Sequence, residues 1–163
     1  QRNLSVWIHS LAGVTWVGLL YYFNFVQVPA MADALADEGG PGPAAIGKYI
    51  APKALLWFRM SAAVTWLTGA WALSLGYGFT NAFLLKPGAE MIGLGSWLGT
   101  IMLFNVWVLI WPNQKKILGM VEASAEEIAK AKFTAAMASR TNVVLSVPML
   151  LCMIGAGHGG YLF

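Results

Sequence analysis

Side chains able to do chemistry are scarce in this chain, and two stand out by type and position: His9 and His158. An imidazole ligates haem iron or a transition metal through either ring nitrogen. Gly13 follows His9 by four residues, on the same face of a helix, and Gly155, Gly157, Gly159 and Gly160 surround His158. Glycine lets a flat macrocycle lie close against a helix backbone. The two histidines therefore fit the axial ligands of a b-type haem, with Gly13, Gly155 and Gly157 against the ring and Arg2 or Lys86 near its propionates. Two other readings stay open: interfacial histidines that only make hydrogen bonds, and a site for copper or another ion. The eight methionines, Met149 and Met153 among them, read mostly as packing in so apolar a chain.

Other site chemistry is thin, and no catalytic set can be named. There is no glycine-rich phosphate loop, no H-E-x-x-H and no G-x-S-x-G. Asp33, Asp37 and Glu38 read as loop residues, and Glu122, Glu126 and Glu127 as the solvated face of a charged helix. Cys152 is the single cysteine, which excludes an internal disulfide, a C-x-x-C pair, covalent haem attachment and a multi-cysteine zinc site.

The elements that must position the histidines are transmembrane helices. Of 163 residues 58% are hydrophobic and 10% charged, against about 25% charged in an ordinary soluble domain. Disorder is excluded by the same composition, and a net charge of +3 is too small and dispersed for nucleic acid. Four segments meet the roughly 20 mainly apolar residues a span needs: about 4–28, 54–77, 91–111 and 141–161. The expectation is an all-α, four-helix transmembrane bundle forming one domain over 1–163. The first span is too long for a signal-peptide core and reads as a retained helix.

Residues 29–53 read as a long loop, broken by Gly39-Gly40-Pro41-Gly42-Pro43. In the third connection, Ser124 and Glu127 have the spacing of a capping box, so a helix is expected to start there and to run into the fourth span. Lys48, Lys53, Arg59, Lys115, Lys116, Lys130, Lys132 and Arg140 lie in or beside the first and third loops; Arg2 and Lys86 lie on the other side. The positive-inside rule then makes those loops cytoplasmic and both termini periplasmic in a bacterial inner membrane. His9 and His158 each sit about five residues from the end of a span, roughly 7 Å below the periplasmic face.

The spans also carry a repeat. Trp16-Val17-Gly18 with Phe23-Asn24, and Trp97-Leu98-Gly99 with Phe104-Asn105, give W-x-G-x4-F-N twice at an offset of 81, and Arg59 matches Arg140 at the same offset. Two tandem helical hairpins are expected. Gly18 and Gly99 would allow close helix approach beside Trp16 and Trp97. Asn24 and Asn105 would pair with Arg59 and Arg140, or those arginines would reach lipid phosphate. Trp57, Tyr77 and Trp111 near span ends fit an aromatic belt. The histidines fall off the repeat, since His9 matches Glu90 and His158 matches Tyr77.

The strings WIHSLAGVTWVGLLYYFNFVQ (7–27), FNVWVLIWPNQKKIL (104–118) and ASRTNVVLSVPMLL (138–151) resemble the urate oxidase N-terminal membrane domain, the membrane part of bacterial cytochrome-linked urate hydroxylases. The resemblance implies membrane location and electron transfer toward a periplasmic c-type cytochrome, with His9 and His158 on its histidine-bearing spans. Three functions follow as expectations: a cytochrome b-like electron-transfer protein, a non-catalytic accessory subunit of a larger membrane respiratory or oxidase complex, and a urate-oxidising enzyme using a separate cytochrome c.

Overall fold

The computed structural model describes residues 1–159, and these fold into helices with no strand among them. Helix α1 spans Arg2–Ala36. After a nine-residue connection, a π-helical turn over Ile46–Ile50 leads into α2, Ala51–Ser74. The short α3 is Phe79–Phe83, α4 is Glu90–Ile117, and α5 is Ala125–Gly157. Three of these, α1, α4 and α5, are long and apolar enough to cross a membrane. At 24 residues α2 is long enough too. Arg59, its tryptophans and its row of Ser61, Thr65 and Thr68 make it less apolar than the other three, so it is not among the helices apolar enough to cross a membrane.

Proline explains most of the difference between the expected and observed helix ends. Spans were expected to stop before Pro29 and Pro112, because proline lacks an N–H and clashes with the carbonyl four residues back. Instead the helices widen into π turns over Phe23–Gln27 and Asn105–Ile110, immediately ahead of those prolines, and continue to Ala36 and Ile117. The same device precedes Pro52. In all three cases the residue four before the proline (Phe25, Lys48 or Val108) lies within the π turn, where a wider ring relieves the clash. The segment 29–53, read as one long loop, is thus helical at both ends. The expected end of the fourth span at Tyr161 lies outside the described residues.

At its start α5 has the expected capping box: Ser124 Oγ accepts from Glu127 N at 3.2 Å and Glu127 Oε2 accepts from Ser124 N at 2.9 Å. Lys116 Nζ, at the end of α4, adds an ion pair to Glu127 at 3.3 Å. From there α5 runs unbroken through Pro148 to Gly157.

Packing is pairwise: α1 lies mainly along α2, and α4 along α5. The pairs meet around Trp16, Val17 and Leu20 of α1, Phe58 and Ala62 of α2, Met102, Val106 and Ile110 of α4, and Ala138 and Met149 of α5. Between apolar helices in lipid, polar contacts add specificity to this packing. Asn105 Nδ2 donates to Asn142 Oδ1 at 2.8 Å, and Asn142 Nδ2 donates to the Met102 carbonyl at 3.0 Å, all buried. Asn24 Nδ2 bonds Ser139 Oγ at 2.8 Å, Tyr21 and Ser146 share a hydroxyl bond at 2.9 Å, and Trp66 Nε1 donates to Thr100 Oγ1 at 2.9 Å. The asparagines therefore bond α5 rather than the arginines. Arg59 instead lies over the Trp111 ring at 3.7 Å, a cation–π contact joining α2 to α4.

Replacing Asn142 with alanine strands the buried Asn105 Nδ2 and removes the second donor to the Met102 carbonyl, which keeps its bond from Asn105 N. The expected loss is about 1 kcal/mol, read as a lowered unfolding midpoint in detergent, whereas Ser10→Ala, at an exposed site bonded only to its own helix, leaves the midpoint unchanged.

A cleft between the helix pairs

Toward the end that carries Arg2, Tyr77 and Gly157 the two pairs separate, leaving a cleft of about 760 Å³ walled by all five helices. That volume lies in the range of cofactor and small-molecule sites. Its surface is mostly apolar and aromatic, with Trp16, Trp66, Phe79 and Phe83 along the walls and Arg2 and Tyr77 among the few polar groups. The aromatic lip is held by α3. The Ala82 carbonyl lies directly on Gly93 of α4, Trp97 Nε1 donates to the Phe83 carbonyl at 3.0 Å, and the Phe83 and Trp97 rings pack edge to face at 5.3 Å.

His9 sits half-buried in this cleft. Its Nδ1 is 2.8 Å from the carbonyl of Thr65 on α2. A carbonyl can only accept, so Nδ1 carries the proton, and a neutral ring then leaves Nε2 with its lone pair free. This is the arrangement by which a ligand histidine is commonly oriented: one nitrogen anchored on an acceptor, the other presented to a metal. The ring rests on Gly69, where a Cβ would lie 2.9 Å from both Cε1 and Nδ1. Thr65 and Gly69 carry no signal of their own in the sequence. Only their four-residue spacing, which puts them on one face of α2, could have pointed to them.

The other expected site residues divide. Gly13 lines the cleft, with Thr65 Cγ2 3.7 Å from where its Cβ would be, and Gly157 lines it with open space beside it. Gly155 is buried in α5 and does not border the cleft; its carbonyl accepts from His158 N at 3.0 Å. His158 is exposed just beyond α5, with Nδ1 2.9 Å from the Ile154 carbonyl, and is not among the residues lining the cleft. Gly159 is exposed and Gly160 lies outside the described residues. Arg2 borders the cleft, and Lys86 does not. Glu90 accepts from Gly88 N at 2.8 Å and faces a separate, smaller pocket.

Gly18 and Gly99 act otherwise than expected. Both line the cleft, and a Cβ at either would meet nothing within 4 Å, so neither glycine is a helix contact. The close approaches are at Gly69, Gly93 and Gly95, the last against Cys152 and Met153 of α5. What Gly18 and Gly99 do is keep two patches of wall flat. Beside them the Trp16 indole N–H is buried without an acceptor among the described residues. Burying an unpaired donor costs about 1–3 kcal/mol.

Two substitutions separate these glycine roles. Gly99→Ala is expected to leave thermal stability in detergent unchanged or slightly raised, since alanine favours helix. Gly69→Ala displaces the His9 ring and is expected to cost about 1–3 kcal/mol, visible as a lowered unfolding midpoint.

No curated protein and no solved structure matches the chain. The family described as Urate oxidase N-terminal matches residues 74–163, which covers the end of α2, α3, α4 and α5, and with them one wall of the cleft. Those residues make up more than half of the sequence, and the chain belongs to the urate oxidase N-terminal family.

Proposed function

We propose that this protein is a membrane-embedded, cytochrome b-like electron-transfer protein that holds haem b in the cleft between its helix pairs. The observation that carries the reading is His9: one ring nitrogen anchored on the Thr65 carbonyl, the other free, in an apolar cleft of about 760 Å³. The surroundings fit the group. Gly13, Gly18, Gly99 and Gly157 leave flat wall for a planar ring, and Arg2 stands at the same cleft for its carboxylates.

Bound haem b supplies one-electron transfer. The chain does the rest: the Thr65 carbonyl fixes the His9 tautomer, Gly69 gives the imidazole its seat, and Phe79 and Phe83 keep water from one side. The W-x-G-x4-F-N repeat supports a four-helix bundle of two tandem hairpins, as does the π turn beginning at each F-N pair. The basic first and third loops support a bacterial inner-membrane orientation with the cleft toward the periplasm, facing a c-type cytochrome or a larger redox complex. Family membership favours a second reading, oxidation of urate with a separate cytochrome c as electron acceptor.

The purified protein is expected to give a haem b band in a reduced-minus-oxidised spectrum, and His9→Ala to lose it. A wild-type protein without the band overturns the proposal. Urate-dependent reduction of added cytochrome c tests the second reading, and no reduction dismisses it.

A further inference from the structure

Resting on the haem reading, we infer that the Met153 thioether, rather than His158, is the group on α5 that completes axial ligation opposite His9. Three observations carry it. First, Met153 lines the cleft that His9 lines, and His158 does not.

Second, the helix register sets the level. α1 and α5 run in opposite directions, and Asn24 Nδ2 bonds Ser139 Oγ at 2.8 Å, which places these two residues side by side. Fifteen residues from Asn24 toward the N-terminus is His9; fifteen from Ser139 toward the C-terminus is Ile154. Met153 is within one residue of that level, about 1.5 Å along the axis, while His158 stands four residues beyond it, about 6 Å. The Tyr21–Ser146 bond gives the same register, because a helical tyrosine leans about one turn toward its helix N-terminus.

Third, the two cleft methionines differ in how they are held. Met149 is 6% exposed and belongs to the core where all four long helices meet, against which Met153 packs only partly buried. Met153 is half-buried and lies against α4 at Gly95, where a Cβ would come within 3.2 Å of its Cε and 3.4 Å of its Sδ. Gly95 makes room for this thioether. A thioether is a soft, neutral ligand, and a histidine–methionine pair holds haem iron at a higher potential than two histidines do.

The test is optical and paramagnetic spectroscopy with redox titration on the purified full-length chain. Wild-type haem is expected to be low-spin. Met153→Leu, which keeps the volume, is expected to make it high-spin with haem still bound through His9. Met153→His is expected to restore the low-spin state at a lower midpoint potential, and His158→Ala to change neither spin state nor midpoint. High-spin haem in His158→Ala, unaltered spectra in Met153→Leu, or a wild-type haem already high-spin overturns the ligand assignment while leaving haem binding intact. Wild-type protein with no haem overturns the functional reading itself, so the two failures are distinct.

Discussion

Where apolar helices pack in lipid, burial against each other adds little and polar contacts decide where they close. Here the closing contacts gather in one half of the molecule. The Asn24–Ser139 bond and the Arg59–Trp111 stack draw the pairs together there, beside the Asn105–Asn142 bond that ties α4 to α5 within its own pair. Past Tyr21 and Ser146, toward Arg2, only the Trp66–Thr100 and Tyr77–Ala156 bonds cross between the pairs among the hydrogen bonds of the described residues. The cleft opens in that half. It is the complement of the seam: tight at one end, parted at the other.

In the cleft walls and just behind them, glycine serves two opposed purposes. At Gly69 and Gly95 the missing side chain is replaced by a neighbour, the His9 ring in one case and Cys152 with Met153 in the other. At Gly18, Gly99 and Gly157 nothing takes its place. The first kind fixes the positions of named groups, and the second kind preserves volume.

Sequence alone made much of this legible. Hydropathy located the apolar stretches of α1, α4 and α5, and the Ser124–Glu127 spacing foretold the start of α5 because a capping box is a local, self-contained structure. His9 was found because an ionisable group in so apolar a stretch is conspicuous. Its partners were not, since one is a backbone carbonyl, which every residue has, and the other is a glycine among eighteen. Helix ends at Pro29 and Pro112 were misplaced because the rule that proline stops a helix leaves out the π turn that accommodates it. The asparagines were paired with arginines by level along the axis, whereas their partners depend on rotation about it, a quantity that a one-dimensional repeat does not encode.

The continuation of α1 and α4 past their prolines has a geometrical result. With 35 residues in α1 and 33 in α5, these rods are about 50 Å long at 1.5 Å per residue, against a hydrocarbon thickness of about 30 Å. The ends remote from the cleft carry Asp33 on α1 and Glu126, Glu127, Lys130 and Lys132 on α5, with Lys115 and Lys116 of α4 beside them. The charged turns and the walls around His9 are thus opposite ends of the same helices, joined in α1 through the π turn at Phe23–Gln27.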